Sequence, residues 1–283
     1  MRLYTYIFNG KERVGAELDG IIYPTRFESM LELIRSGDTK FGDIKPSPEN
    51  GIAVSDAELL APIPVPERDV ICLGINYAKH GAEAAQYNKE AFLREQPCPI
   101  YFSKRVDRAV APGGAIKAHS DITERLDYEC ELAFIIGKDA LNVSREDAAE
   151  YVFGYTIIND VSARDLQTRH KQWYFGKSLD GFTPMGPCIV TADESDFPPR
   201  LGIRSYVNGE LRQNSNTEYM VFDAAYIISE LSRGMTLRAG TIVATGTPEG
   251  VGMGFEPPKF LSPGDKVVCE IDKLGRLENI VEE

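Results

Sequence analysis

Positive charge is scarce in this chain of 283 residues, in which 31 Lys and Arg face 43 Asp and Glu for a formal net charge of −12. Proteins that bind nucleic acid need a basic face to displace counterions, so the composition argues against nucleic acid as a partner. An anionic substrate must then be attracted by local cations or a metal, because the overall field of the protein repels it.

Long apolar runs and paired cysteines are also missing. No apolar stretch approaches the ~18 residues of a membrane span, and the first ten residues are too polar for a secretion signal. The five cysteines are scattered, without a Cys-x-x-Cys pair: Cys72, Cys98, Cys130, Cys188 and Cys269. Such thiols are typical of a reducing compartment, so we predict a cytoplasmic protein with no membrane partner.

The nucleotide-binding loops of common folds are absent as well. The glycine-rich segment 241–254 contains no Gly-Lys-Ser/Thr, and Phe-Glu-Pro-Pro follows it where a dinucleotide fingerprint would need a helix. Two interpretations stay open. The segment is either a plain turn or a nest of backbone amides that, with the hydroxyl of Thr245 or Thr247, holds a substrate carboxylate.

What is present fits a predominantly β (α+β) protein. Hydrophobic residues make up 43% and charged residues 26%, as in ordinary globular proteins. Many short strand-like runs with one or two helices do not alternate as βαβ units. Prolines at alternate positions in the stretch 62–66 form an extended connector. We therefore predict a small N-terminal β-rich domain over 1–66 and a catalytic domain over 67–283.

Two glutamates alternate within the strand-like run 127–137. Residues two apart in a strand share a face, so Glu129 and Glu131 point the same way. Both faces continue as apolar, and two buried like charges are costly unless a cation lies between them. Asp160 ends the next β-branched run, 154–160. A solvated face is the usual interpretation of such a pair, but the apolar flanks favour a hard, all-oxygen site for Mg²⁺, Mn²⁺ or Ca²⁺.

Two segments after Asp160 carry further polar side chains. Ser162 has the type and position of a helix N-cap, which would place Arg164 and Gln167 on one side of the first turn. The segment 175–187, punctuated by glycine and proline, carries the single lysine Lys177, and such loops lie at a surface or a cleft.

One histidine has a carboxylate at helical spacing. Glu83 lies three residues after His80, where it can orient the ring and raise its basicity, the arrangement of a catalytic base with its orienting partner. A structural or surface histidine is the competing interpretation, and the spacing by itself does not choose between them. The other histidines, His119 and His170, have no such partner and are predicted to be structural.

Five motifs in order resemble the fumarylacetoacetate hydrolase family. They are Gly-Ile-Asn-Tyr-Ala-Lys-His-Gly-Ala-Glu at 74–83, Asp-Tyr-Glu-Cys-Glu-Leu at 127–132, Asn-Asp-Val-Ser-Ala-Arg-Asp-Leu-Gln at 159–167, Gly-Lys-Ser-Leu-Asp-Gly at 176–181 and Ala-Thr-Gly-Thr-Pro-Glu-Gly-Val-Gly at 244–252. Together they extend from about residue 70 to the C-terminus.

This resemblance implies a fold, an assembly and a site. The fold is a distorted β-sandwich roll, usually a homodimer, and the cofactor is Mg²⁺ or Mn²⁺ on the three carboxylates. The His–Glu pair lies in a lid over the metal and readies a water. The remaining residues implied by the motifs are Lys177 as a catalytic cation, and Tyr77, Arg164, Gln167, Thr245, Gly246 and Thr247 as substrate contacts. Asn76 stands where some members have an acidic metal ligand, which suggests a site of three carboxylates completed by water.

The reaction implied first is metal-dependent C–C hydrolysis of an acylpyruvate or related 2,4-diketo acid, such as fumarylpyruvate. Two alternatives use the same site: decarboxylation of oxaloacetate, and isomerisation of 2-hydroxyhepta-2,4-diene-1,7-dioate, which requires only proton transfer. In all three the partner is a small dicarboxylate or keto acid. A hypothesis of a different class is a non-catalytic β-domain that binds a metal structurally, which would need neither the His80–Glu83 pair nor Lys177.

Overall fold

The computed structural model describes residues 1–37, 50–89 and 98–283. The strands are β1 Arg2–Phe8, β2 Lys11–Leu18, β3 Ile21–Pro24, β4 Ile52–Ala53, β5 Glu58–Leu59, β6 Val70–Gly74, β7 Ile100–Lys104, β8 Ala115–Lys117, β9 Leu126–Asp127, β10 Cys130–Ile136, β11 Val152–Asn159, β12 Ser162–Ala163, β13 Met185–Thr191, β14 Gly202–Val207, β15 Glu210–Asn216, β16 Ile242–Ala244, β17 Lys266–Ile271 and β18 Gly275–Glu282. The helices are α1 Met30–Ser36, α2 Ala78–Tyr87, α3 Arg164–Arg169, α4 Tyr174–Lys177 and α5 Ala224–Ser232.

Two large sheets form the fold of the described residues. The first has the order β4-β3-β2-β1-β13-β11-β10-β16-β6-β7, with β5 joined to β1, and the second has the order β15-β14-β17-β18-β8. Strands β10 and β11 of the first sheet pack against β14 and β17 of the second, as in a sandwich. This architecture is mostly β with few helices, and it confirms the predicted fold class.

Strand β10 lies at the centre of the molecule. Every residue from Cys130 to Ile136 is buried, as the apolar residues on both faces of the run predict. One face, with Leu132 and Phe134, packs in the core shared with the second sheet. The opposite face, with Ala133 and Ile135, packs in the core that contains α1. Because both faces are covered, the charged side chains at the start of this strand, Glu129 and Glu131, are buried.

The N-terminal strands extend the same sheet. The boundary predicted at residue 66 lies in the proline connector, but β1 pairs with β13 across it, with Leu3 opposite Ile189. Asn9-Gly10 and Asp19-Gly20 form the tight turns before and after β2, all four with positive φ. An independent N-terminal folding unit over 1–66 therefore stays a prediction.

Local capping sets where several helices begin. Ser29 caps α1 by accepting from the backbone of Glu32, and Asp223 caps α5 by accepting from that of Tyr226. The prediction of Ser162 as an N-cap is wrong. Ser162 lies in β12, paired with β9, and α3 begins at Arg164 without a side-chain cap. The described helices are all too short or too polar to cross a membrane.

Candidate active site

The three predicted metal ligands lie together where β10 begins and β11 ends, at interior strands of the first sheet. Glu129 lies in the link before β10, Glu131 is the second residue of β10, and Asp160 directly follows β11. Strands β10 and β11 are antiparallel with Cys130 opposite Asn159, so the start of one strand lies beside the end of the other. Oxygens of the three buried carboxylates all lie within 4.8 Å of one another.

Two buried lysines neutralise part of this charge. Lys177 Nζ lies 2.8 Å from Glu129 Oε2 and 2.7 Å from Asp160 Oδ2. Lys104 Nζ lies 2.6 Å from Asp160 Oδ1. Burial alone would lower the pKa of Lys177, but the carboxylates of Asp160 and Glu129 outweigh it and raise that pKa, so the ammonium is fully charged at neutral pH.

Arg164 forms further ion pairs at the site, with Asp127 and Glu129. Its Nε lies 2.8 Å from Asp127 Oδ2 and its Nη1 lies 2.7 Å from Glu129 Oε1, while Nη1 also donates to Gln167 Oε1 at 3.1 Å. Burial would raise the pKa of Glu129, yet the charges of Lys177 and Arg164 hold that pKa well below its ordinary value. Glu129 is therefore a carboxylate at neutral pH.

Glu131 is the acid without a cation of its own among the described residues. Its Oε2 accepts a hydrogen bond from the backbone of Gly246 at 2.8 Å, and its Oε1 has no hydrogen-bond partner in the described part of the chain. Burial, followed by repulsion from Asp160 and Glu129, raises the pKa of Glu131 well above its ordinary value. Glu131 therefore has a free oxygen and an uncompensated charge with which it can bind a cation.

The site fits a hard divalent ion. Its donors are all carboxylate oxygens, one of them buried without a partner, and the resident lysines and arginine leave one carboxylate uncompensated. Oxygen-only donor sets of this kind suit Mg²⁺, Mn²⁺ or Ca²⁺ and not zinc. Glu129, Glu131 and Asp160 are the residues that would hold the ion, and the choice between ions stays a proposal.

In EDTA, which removes metal ions, the stability of the protein should depend on pH through the protonation of Glu131. Because the folded pKa is raised, Glu131 contributes stability that is fully present below its unfolded pKa and is lost as pH rises through the folded pKa. Glu131→Gln has no such group. In EDTA, we expect the variant to become more stable than wild type as pH increases above the ordinary glutamate range. Urea unfolding over a pH series measures this, and parallel profiles for the two proteins would contradict it.

Lys177 lies deep in the site. It ends α4, a single helical turn in the predicted loop, and its side chain is 2% exposed. Gly176 allows α4 to pack closely against α3. A Cβ at this residue would lie 2.6 Å from the backbone nitrogen of Gln167, so only glycine permits this approach. The lysine faces the carboxylates as the resemblance implied, and its catalytic role stays a prediction.

Replacing Lys177 by Met should affect both stability and rate. Removing one partner from a buried ion pair costs about 3–5 kcal/mol. In EDTA, we therefore expect the variant to unfold at a markedly lower urea concentration than wild type. Mn²⁺ should restore much of this loss, because it replaces the missing cation. Turnover should fall by ~10²–10³ even with Mn²⁺, the range for loss of one oxyanion donor. Lys177→Arg should not restore it, because a planar fork differs from a compact ammonium.

The matched control is Lys138→Met, which removes an exposed lysine paired with Glu150. We expect its stability to stay within about 0.5 kcal/mol of wild type. Normal turnover of the Lys177→Met protein, together with normal stability to urea in EDTA, would show that the lysine is dispensable.

The predicted base, His80, lies on α2 and borders the same cavity as Glu129 and Lys177. His80 is buried, and its Nδ1 lies 3.1 Å from Glu83 Oε2. An ionised carboxylate only accepts hydrogen bonds, so Nδ1 carries the proton and Nε2 is the basic nitrogen. Glu83 is held in turn by the backbone of Gly250, which donates to Oε1 at 2.9 Å. The pair can therefore hold or accept a proton at Nε2.

A narrow cavity of about 10 Å³ connects these groups. This volume holds about one water molecule, so the structure shows the site shut. Polar side chains in the wall are His80, Glu129, Arg164, Gln167, Lys177 and Thr247, and the apolar part of the wall includes Leu73, Phe102 and Trp173. His80, Arg164, Lys177 and the carboxylate of Glu129 therefore meet around one narrow space.

The other predicted substrate contacts are occupied by structural hydrogen bonds. The Thr245 hydroxyl donates to the carbonyl of Leu132 at 2.8 Å, and the Thr247 hydroxyl donates to that of Cys130 at 2.9 Å. The Gly246 amide donates to Glu131. These bonds fasten the glycine-rich segment to β10, and of the three residues only Thr247 borders the cavity. Their contact with substrate stays a prediction.

Tyr77 and Asn76 flank the metal-ligand residues without contacting them in a hydrogen bond. The Tyr77 hydroxyl is buried and has no hydrogen-bond partner within residues 1–37, 50–89 and 98–283. Burial and the nearby charge of Glu131 raise the pKa of Tyr77. The Asn76 side chain donates to the carbonyls of Phe222 and Thr245, so it joins the start of α2 to two distant segments.

Sequence reasoning missed two charged residues at the site. Lys104, the last residue of β7, is fully buried and forms an ion pair with Asp160. Asp127, seen only as part of a motif, accepts from Arg164 and from the backbones of Gly252 and Met253. A charged residue at the end of an apolar strand is the available signal for both, but their partners are far away in sequence.

Known proteins resemble this chain over nearly its whole length. A family profile described as "Fumarylacetoacetate (FAA) hydrolase C-terminal" matches residues 69–282. A relative from Bacillus subtilis (strain 168), oxaloacetate tautomerase YisK, is 45% identical over 262 residues, which cover 89% of this chain and 85% of the relative. Oxaloacetate tautomerase fahd2, mitochondrial, from Xenopus laevis is 42% identical over 261 residues, which cover 91% and 79%.

A solved structure has the same fold as this chain. Fumarylacetoacetate hydrolase from psychrophilic Exiguobacterium antarcticum is 41% identical and superposes with a TM-score of 0.86, covering 100% of this chain and 99% of that one. Profile, relatives and structure point the same way as the five motifs and the buried carboxylates. This chain therefore belongs to the fumarylacetoacetate hydrolase family.

Proposed function

We propose that this protein catalyses proton transfer between the enol and keto forms of a small 2-oxo dicarboxylate, with oxaloacetate as the first candidate. The observation that carries the proposal is the presence, around one narrow cavity, of a histidine base and two cations, Arg164 and Lys177, beside a buried acidic site. Two relatives above 40% identity are named for this activity. Their names favour proton transfer over the acylpyruvate hydrolysis implied first by the motifs.

The reaction moves one proton off oxygen and places one on carbon. In the enol form the C2 oxygen carries a proton and C2 is doubly bonded to C3. Loss of the oxygen proton and addition of a proton at C3 give the keto form. Both steps pass through an enolate, so the enzyme must hold a base near C3 and positive charge near the C2 oxygen.

The residues around the cavity match these two needs. In the direction of the keto form His80 Nε2, with Glu83 fixing the proton on Nδ1, would take the proton lost from the C2 oxygen and then deliver it to C3. Lys177 and Arg164 supply positive charge for the enolate oxygen and the substrate carboxylates. Arg164 borders the cavity and its Nη2 has no hydrogen-bond partner among the described residues, so this nitrogen is the group we assign to a carboxylate oxygen of the substrate. Gln167, which accepts from Arg164, orients that guanidinium.

A divalent ion would add to this arrangement at Glu129, Glu131 and Asp160. When bound, Mg²⁺ or Mn²⁺ supplies Lewis-acid charge that favours the enolate over the neutral substrate. The protein's own contribution is a set of buried charges, each of which acts more strongly there than it would in water. A homodimer, expected from the family resemblance, belongs to the same proposal.

A second candidate is C–C hydrolysis of an acylpyruvate or related 2,4-diketo acid. It is favoured by the name of the solved relative, fumarylacetoacetate hydrolase. His80 would then deprotonate a water for attack on the distal carbonyl. Decarboxylation of oxaloacetate uses the same cations without a base. A non-catalytic metal-binding scaffold would need neither the His80–Glu83 pair nor the buried Lys177.

One panel separates these candidates. Wild-type protein with Mg²⁺ or Mn²⁺ is given enol-oxaloacetate, acetylpyruvate, fumarylpyruvate and 2-oxo-hept-3-ene-dioate, while loss of the enol, release of pyruvate and acyl cleavage are followed separately. We expect the largest kcat/KM for loss of enol-oxaloacetate. The metal ion alone gives the background, because divalent ions accelerate this reaction without protein. Faster cleavage of an acylpyruvate would overturn the proposal, and thermal stabilisation by the metal without turnover would indicate a scaffold.

A further inference from the structure

The turn of residues 250–254, which we call the glycine turn, binds the partners of two side chains that line the cavity, His80 and Arg164. The Gly250 amide donates to Glu83 Oε1 at 2.9 Å. The amides of Gly252 and Met253 donate to the two oxygens of Asp127, at 2.6 and 3.0 Å. Glu83 is the partner of the base and Asp127 is the partner of Arg164, so one backbone segment fixes the supports of both groups.

Gly254 closes this turn directly against Glu83. A Cβ at Gly254 would lie 1.8 Å from Glu83 Oε1, 2.0 Å from Cδ and 2.2 Å from Cγ. All three of these nearest atoms belong to one side chain. The φ angle of Gly254 is not in the left-handed region, so its backbone is open to any residue. Glycine is needed here for space and not for conformation.

We propose that Gly254 is a positioning residue for the catalytic base. The missing side chain lets the Glu83 carboxylate lie flat against the glycine turn, where Gly250 holds one oxygen and His80 Nδ1 meets the other. That contact keeps the ring proton on Nδ1 and directs Nε2 to the cavity. The inference rests on the proposed function, in which His80 is the base, and it adds the element that holds the base in place.

The surroundings of the turn explain why a side chain at Gly254 would displace Glu83 and leave α2 in place. Helix α2 is fastened to the turn by an apolar cluster that includes Ala84, Val251 and Met253. Glu83, by contrast, reaches the turn with the flexible end of a long side chain. A methyl group at residue 254 therefore moves the carboxylate, and the apolar contact between helix and turn stays.

The first test is a double-mutant cycle. Gly254→Ala should lower kcat by about 10- to 100-fold, in line with a ~1 Å misplacement of a catalytic group, with little change in KM or thermal midpoint. In a Glu83→Ala background the methyl group has space, so adding Gly254→Ala should change kcat by less than about 2-fold. Equal losses in both backgrounds, or no loss in the wild-type background, would overturn the inference.

The control is Gly234→Ala. Gly234 also has an ordinary φ, and a Cβ there meets no heavy atom of the described residues within 4 Å. It should leave kcat unchanged, which separates the effect of space at Gly254 from a general cost of removing a glycine.

A second test does not depend on turnover, so it stands even where the panel fails to find a substrate. The chain has 3 histidines, and ring ¹⁵N spectra can therefore be assigned with single His substitutions. At a pH where the rings are neutral, we expect the His80 proton on Nδ1 in wild type and in Gly234→Ala. Gly254→Ala should shift this ring toward the Nε2–H tautomer that free imidazole side chains favour. An unchanged His80 tautomer in Gly254→Ala would refute the positioning role.

Discussion

Glu131→Gln is expected to abolish divalent-ion binding and turnover together. The substitution keeps the size of the side chain and the bond from Gly246, but it removes the charge that no lysine or arginine of the described residues compensates. Loss of an outer-shell partner at a metal site costs 10–100-fold in affinity, so loss of a ligand should weaken Mn²⁺ binding by more than about 100-fold. Calorimetric titration with Mn²⁺ measures this, and the substrate panel measures the rate.

Glu17→Gln is the matched control for this experiment. Glu17 is a half-buried carboxylate that accepts from the Tyr4 hydroxyl in the N-terminal strands, far from the cavity in the sheet order. It should bind Mn²⁺ as tightly as wild type. If Glu131→Gln did the same, Glu131 would not be a ligand, and its unpartnered oxygen would need another explanation.

His80→Ala is expected to lower the rate of enol–keto conversion by ~10²–10⁴, the usual contribution of a positioned acid or base. This reaction consists of proton transfers alone, at the C2 oxygen and at C3, so the loss should be in kcat. Decarboxylation of oxaloacetate should fall much less, because its electrons are drawn off by positive charge and no base is required. The ratio of the two rates in the variant, compared with wild type, gives the result.

His170→Ala serves as the control, because His170 is exposed and packs edge-on against the ring of Phe175. It should leave both rates unchanged. Equal losses of tautomerisation and decarboxylation in His80→Ala would mean that the histidine closes the site and does not transfer the proton. Unchanged enol conversion would exclude His80 as the base.

The sequence by itself determined the acidic centre of this protein and its family. Alternation in a strand requires only the chain's own geometry, so the spacing of Glu129 and Glu131 is enough to place both on one face. The apolar residues around them then imply that this face is buried. The His80–Glu83 spacing is equally local, since residues three apart meet on any helix.

The tertiary structure alone decided what neutralises that centre. Lys104 and Asp160 are 56 residues apart, and Lys177 and Glu129 are 48 apart. No periodicity relates positions at such distances. The same holds for Thr245 and Thr247, whose hydroxyls bind carbonyls of β10 more than 110 residues earlier. The chemical type of a side chain determines what it can bind. Its burial and its partner depend on which strands become neighbours, and only the folded sheet determines that.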